Sequence, residues 1–332
     1  MKKFLLGSLF MTSIAMGACA QSIDETATPG DATVTTGTPS TVFFTSEITP
    51  ESLVRIYEAL GVPPTGKVAV KISTGESSKS NHLSPELIAS LVQKVDGTLV
   101  ECNTLYEGNR SDGKKHRQAA AERGYDKIAP IDIMDEDAEI AIAVNDSTWI
   151  HYDLVGANLA NYDYMINLAH FKGHTMGGLG GVLKNASIGV ASSAGKAYIH
   201  TAGTSTSGWN NPHGQDAFLE SMASAAQAVH NYFKQPGKDI VYINVMNNMS
   251  VDCDCNGNPE APVIADMGIL ASTDPVALDQ ACVDLVFNHK GGEGDDPAPL
   301  VERIKSRHGT HTIDHAEKIG LGTKNYNLVN LD

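Results

Sequence analysis

The residues best suited to chemistry gather in three segments. The first runs from His170 to Lys196, HFKGHTMGGLGGVLKNASIGVASSAGK. His170 and His174 lie four apart with Lys172 between them; neutral imidazoles are common metal ligands, and i,i+4 spacing puts two of them on one helical face. Gly177, Gly178, Gly180 and Gly181 let the backbone turn sharply or approach a ligand closely, and Lys184 and Asn185 follow. A nest of glycine-rich backbone N–H groups with Lys184 beside it would suit an anion instead. The second segment, Asp252-Cys253-Asp254-Cys255-Asn256-Gly257-Asn258, crowds two thiols and two carboxylates into four residues. A cation or hydrogen bonds would relieve that repulsion. Cys253 and Cys255 cannot complete a four-ligand site alone, but with His170 and His174 they can, and Asp252 and Asp254 become further ligands or support them. The alternative is an Asx-rich turn whose cysteines are reduced or joined to each other. A calcium loop is also suggested by Asp-x-Asp-x-Asn-Gly, but Val263 stands where its bidentate Glu belongs. The third segment, Asn103 to Arg110, offers Asn103, Tyr106 and Arg110 as a polar rim, with His116 nearby to move protons.

The elements that must hold these residues alternate between strand and helix. KVAVKI at 67–72 and TLVE at 98–101 read as strands; Thr49-Pro50-Glu51 and Ser84-Pro85-Glu86 open helices that end near Gly61 and Gly97. A helix at 116–123, a strand at 163–169, a long helix at 216–233 and a strand at 240–245 follow. A further strand is expected at 266–271, then a helix capped by Thr273-Asp274-Pro275 and short final helices at 300–307 and 314–319. This order favours an α/β fold, a mostly parallel sheet with helices on both faces in one globular domain. The histidine segment directly follows a strand, and in open α/β sheets ligands sit beyond the carboxyl ends of strands.

The first forty residues concern address. Lys2 and Lys3 precede an apolar stretch, Phe4–Ala18, too short to span a bilayer and right for an export signal. Small residues before Cys19 resemble a bacterial lipobox, with Cys19 the lipidated residue; Ala18-Cys19-Ala20 also fits ordinary signal cleavage. Residues 20–41 are rich in Thr, Pro and Gly and read as a flexible tether to a domain over 42–332. The chain is therefore expected to be an exported lipoprotein, periplasmic or attached to the outer membrane, touching the membrane through its lipid alone. Five cysteines then leave an even four in the mature domain, with Cys282 a core residue and Cys102 near the site rim.

The formal charge of −15 argues against nucleic acid as a partner, which would require clustered Lys and Arg. The dinucleotide fingerprint fails at Leu183, and the phosphate loop fails because Gly189 to Lys196 is one residue too long.

Taken together, these motifs resemble the family of uncharacterised iron–sulfur-centre proteins, domain of unknown function 362. The resemblance rests on Asn103-Thr104-Leu105-Tyr106 with Arg110 and His116, on His170–His174 with Gly177–Asn185, and on Ile243-Asn244-Val245 before Asp252–Cys255. The run from Gly268 to Ala281 completes it. It implies an α/β fold and a site at the sheet edge. Many members carry an inserted ferredoxin-like module, but the stretch between Lys196 and Asp216 has no cysteine, so an iron–sulfur cluster is not expected here.

The leading expectation is a metal-binding protein, redox-active or otherwise a metal-dependent enzyme, with a divalent metal on His170, His174, Asp252, Cys253, Asp254 and Cys255. Lys172, Lys184 and His116 are the candidate catalytic residues. Asn103, Tyr106, Arg110, Gly178, Gly180 and Asn185 are the candidate contacts to a small anionic ligand. The rival is a non-catalytic binding module for a small anion or a protein partner, with a structural Cys253–Cys255 disulfide.

Overall fold

Period-two alternation sorts the strand residues into two cores. Val68, Val70 and Ile72 join Leu53, Ile56, Leu87 and Leu91 on one side of the sheet. Ala69 faces the other way, into a core built with Met165, Tyr242, Leu270, Val229 and Leu278. Both faces of the sheet are thus covered by helices. The computed structural model describes residues 38–332; the export signal, Cys19 and most of the expected tether lie outside them. Among the described residues, no helix is long and apolar enough to cross a membrane.

The strands are β1 (Ser40–Thr45), β2 (Val68–Lys71), β3 (Thr98–Glu101), β4 (Ile131–Ile133), β5 (Glu139–Ala143) and β6 (Tyr152–Gly156). They continue with β7 (Tyr164–His170), β8 (Lys172–His174), β9 (Gly178–Gly180), β10 (Asp239–Met246), β11 (Gly268–Ser272) and β12 (Tyr326–Asn330). The helices are α1 (Pro50–Ala59), α2 (Pro85–Lys94), α3 (Gly113–Glu122), α4 (Val182–Ala186), α5 (Ser193–His200), α6 (Gln215–Phe233), α7 (Pro275–Asn288), α8 (Ala298–Ser306) and α9 (His311–Lys318).

The eight-stranded sheet has the order β12-β1-β11-β10-β7-β2-β3-β4. Only β11 is antiparallel to its neighbours; the other pairings are parallel. From β2 the chain steps outward to β3 and β4, then returns to lay β7 against β2 and moves on to β10. The strand order reverses between β2 and β7, and a crevice at the carboxyl ends of strands belongs there.

The helix starts follow the expected chemistry. Thr49 and Ser84 accept from the backbone N–H groups of Ser52 and Leu87, and Asp274 accepts from those of Val276 and Ala277. The structure corrects one geometric premise. His170 and His174 do not share a helical face: His170 ends β7 and His174 ends β8, a strand of the small β8–β9 hairpin. Alternation along an extended chain, rather than a helical turn, keeps Lys172 between them.

Candidate functional site

A cavity of about 220 Å³ lies where β2, β3 and β7 end. Lys71 at the end of β2 with Ser73 just beyond it, Glu101 at the end of β3 with Cys102 after it, and Ala169 and His170 of β7 line it. The 252–255 turn, the β8–β9 hairpin, α4 and α5 close over it.

One ion pair brings the histidine and cysteine segments together. Lys172, the residue between the histidines, places its Nζ 2.5 Å from Oδ1 of Asp254, the residue between the cysteines. The same Nζ donates to the Asn81 carbonyl at 2.7 Å. Lys172 is 1% exposed and Asp254 5%. Burial alone would raise the Asp254 carboxyl, but Lys172 and then His170 outweigh it and hold it well below the usual range. Beside this pair, the Gly173 N–H donates to the Ser250 carbonyl at 3.0 Å. A Cβ at Gly173 would lie 2.1 Å from the Val251 carbonyl oxygen, so only glycine permits that approach.

The clip sets His174 against the cysteines. One donor atom from each of His174, Cys253 and Cys255 lies within 4.8 Å of the other two, a group able to hold a metal ion. Cys253 and Cys255 are joined as a disulfide. The two histidines present different faces. His174 Nδ1 accepts from the N–H groups of Gly177 at 2.8 Å and Met176 at 3.2 Å. Burial, then Lys184 and His200, keep its pKa well below the ordinary value. The neutral ring therefore carries its proton on Nε2 and offers a donor. His170 is reversed: its Nε2 donates to the Asn247 carbonyl. Its buried Nδ1 has no hydrogen-bond partner among the described residues and stands 3.5 Å from Asp254 Oδ2.

Charge sets the cavity apart from the rest of this acidic chain. Lys71, Lys172, Lys184, Lys196 and Arg110 line it, against two carboxylates, Glu101 and Asp254. Most of these cations are anchored. Lys71 donates to Asn185 Oδ1 at 2.9 Å and to the Ile72 carbonyl at 2.7 Å. Lys196 donates to the Ala191 carbonyl at 2.6 Å. Arg110 donates to Glu76 Oε2 at 3.2 Å and to the Tyr106 hydroxyl at 3.0 Å. The Lys184 ammonium has no hydrogen-bond or ion-pair partner among the described residues. Its ammonium is crowded by protein yet still reached by solvent through the cavity. Burial, then Lys71, with smaller contributions from Arg110 and Lys196, pushes it down to about 8 against the opposing pull of Asp254. Lys71 is likewise pushed down to about 8, mainly by burial.

Behind the rim, Glu101 collects donors: His116 Nε2, the Thr74 N–H and, at 3.5 Å, Arg110. Burial opposes its ionisation, but His116, Arg110 and Lys71 hold its carboxyl well below the usual range.

The structure brings His170, Lys172, His174, Gly180, Lys184 and Asn185 to the cavity, with Tyr106, Arg110, Cys253, Asp254 and Cys255. Asn103, His116, Gly178 and Asp252 stand elsewhere. His116 is fully buried between Glu101 and Asn103 Oδ1 and touches the cavity only through Glu101. Gly178, with φ +77°, turns its backbone against Gly309. Asp252 points away and accepts from Arg303 and from Asn256 at 3.2 Å. With Asp252 on Arg303 and Asp254 on Lys172, the calcium-loop pattern has no free carboxylate. The expected glycine-rich anion nest is also partly filled: the N–H groups of Val182 and Leu183 donate to Asp279 at 2.9 and 3.0 Å.

Sequence reasoning missed Lys71, Lys196, His200 and Trp209, all of which line the cavity. Lys71 carried a usable signal. A lysine inside KVAVKI, in a sheet covered on both faces, needs a polar destination. Trp209 comes from the loop after α5, and its ring meets His200 edge-on at 4.9 Å.

Two solved structures show a distant likeness. The lactate racemase apoprotein from Thermoanaerobacterium thermosaccharolyticum aligns over 87% of this chain and 82% of its own, at 12% identity and a TM-score of 0.39. A Thermotoga maritima protein aligns over 59% of this chain at 12% identity and a TM-score of 0.37; the chain spans 49% of that protein's length. No curated protein matches the chain. Residues 68–284, which include every cavity-lining segment, match one family, and the chain belongs to it: Domain of unknown function (DUF362).

Proposed function

We propose that this chain is an exported, lipid-anchored protein whose cavity binds a small organic anion. The excess of cations in the cavity carries the reading: five against two carboxylates, in a chain of net charge −15. Burying like charges together is costly unless an opposite charge compensates them. Lys184, without a partner, and the Nε2–H of His174 supply donors for a carboxylate or phosphate. A volume of about 220 Å³ limits the ligand to a small molecule. Export rests on Lys2, Lys3 and the apolar run to Ala18, and anchoring on Cys19. The Cys253–Cys255 disulfide suits an oxidising compartment. We read the chain as lacking a ferredoxin-like insert, since residues 201–214 join α5 to α6 without a cysteine.

Trp209 makes the reading testable. The chain has two tryptophans, and only Trp209 lines the cavity. Titration with small mono- and dicarboxylates and with phosphate, followed by tryptophan fluorescence, should give a saturable change that weakens with salt. Lys184→Met should lower affinity about tenfold to hundredfold, the worth of one charged hydrogen bond. Trp209→Phe should silence the signal while calorimetry still detects binding. An affinity that Lys184→Met leaves unchanged would sink the reading.

A second reading follows from the proximity of His174, Cys253 and Cys255. A thiophilic divalent ion would bind there once the disulfide is reduced, because thiolates are the ligands. Binding through either ring nitrogen would also need His174 to give up its Gly177 contact, because Nδ1 is the acceptor there and Nε2 carries the proton. Cobalt added to reduced protein should then develop thiolate-to-metal absorption, and His174→Ala should remove it. No absorption in the reduced wild type would leave the anion reading alone.

A further inference from the structure

The cavity's five cations divide unequally. Lys71, Lys172, Lys196 and Arg110 each donate to fixed carbonyl, amide, hydroxyl or carboxylate oxygens. Lys184 Nζ alone among them donates to nothing within the described residues, although its side chain enters the same cavity. Anchored cations orient and neutralise an anion. An unanchored amine, walled in by other positive groups and by apolar side chains such as Ile72, Leu105 and Ile188, has a second capacity. It can shed its proton and attack.

We propose that Lys184 is a nucleophile that forms an imine with the carbonyl carbon of a small oxo acid, whose carboxylate is held by the anchored cations. This rests on the small-anion reading of the cavity and extends it to a substrate class, aldehyde- or ketone-bearing carboxylic acids. In the step, the Nζ lone pair forms a C–N bond to the carbonyl carbon. The carbonyl oxygen takes up two protons, both released by Nζ as its ammonium becomes first the neutral amine and then the imine nitrogen, and leaves as water. The product is a protonated imine, and no oxidant or reductant is consumed. His174, neutral and with its N–H on Nε2, stands in the same cavity and can hydrogen-bond the departing oxygen without giving up its proton. The environment supports the amine. Burial and the neighbouring Lys71 lower its pKa to about 8, so roughly a tenth of it is neutral at pH 7.

Reductive trapping tests the proposal. The full mature protein, under oxidising conditions, is incubated with pyruvate or glyoxylate and cyanoborohydride, then digested and mapped by mass spectrometry. The expected product is one modified residue, Lys184, heavier by the mass of the oxo acid less one oxygen. Its labelling rate should exceed that of surface lysines on the order of a hundredfold, from its larger neutral fraction. Excess oxalate, which binds but offers no ketone, should slow it. Lys184→Arg should lose the label. Labelling spread over exposed lysines, or centred on Lys71 or Lys196, overturns the proposal. Binding of pyruvate without any label at Lys184 overturns it while leaving the anion reading standing. Failure of both binding and labelling overturns the two together. The map of the wild-type protein decides the matter even if a variant fails to fold.

Discussion

Removing the charge of Asp254 should unfasten the site. Lys172 is 1% exposed, and among the described residues Asp254, with Oδ1 at 2.5 Å, is the only carboxylate partner of its ammonium. Asp254→Asn keeps the shape and leaves a buried, uncompensated lysine. Breaking a buried pair from one side costs about 3–5 kcal/mol, far more than the pair's net worth against apolar replacements. For a domain of this size each kcal/mol moves the melting temperature by roughly 2 °C, so the expected drop is about 6–10 °C. Lys172→Met should cost a similar amount, because it strands the carboxylate. The double variant, Lys172→Met with Asp254→Asn, should be more stable than the sum of the singles implies, with a coupling of at least about 2 kcal/mol. Denaturant unfolding of all four proteins, with equal slopes, measures it. Singles costing under about 1 kcal/mol, or a double variant that is simply additive, would refute the claim that this pair clips the histidine and cysteine segments together.

Further expectations follow from neighbouring groups. Gly173→Ala should destabilise by about 1–3 kcal/mol, since the new Cβ meets the Val251 carbonyl; a neutral effect in thermal melts would mean the two segments can separate freely. Asp153 is fully buried, neither of its carboxylate oxygens is hydrogen-bonded among the described residues, and burial pushes its pKa up to about 8. The folded state therefore holds this proton more tightly than the unfolded chain, and stability should fall as pH rises from about 4 to 8. Asp153→Asn should flatten that slope, and parallel stability–pH curves for the two proteins would contradict it. Glu101→Gln leaves Arg110 with Glu76 as its one charged partner among the described residues and costs His116 a charged acceptor, so a loss of about 3 kcal/mol is expected in urea melts, against none if the cluster is loosely held.

Much of the framework was legible because local signals and global fold agree. Alternation in KVAVKI and the Thr-Pro, Ser-Pro and Asp-Pro helix starts mark elements that the structure contains. Short elements escaped. β8 and β9 have three residues each and α4 five, too few for any periodicity, and their geometry comes from Lys172, Gly173 and Asp279 meeting distant partners. The same limit governs the site. Residue types pointed to His170, His174, Cys253 and Cys255, and the cavity does gather them. The sequence could not say that Gly177 takes the Nδ1 lone pair of His174, or that each Asp of the cysteine segment is already matched to a cation. Nor could spacing single out Lys184 as the unpartnered lysine, because that property depends on four other cations finding oxygens.

A bromide-soaked crystal, recorded at the bromine absorption edge, tests the central claim most directly. The account predicts an anomalous peak inside the cavity within hydrogen-bonding reach of Lys184 Nζ, displaced when a small carboxylate is added. Bromide confined to surface lysines, with the cavity empty of peaks at high bromide, would contradict it.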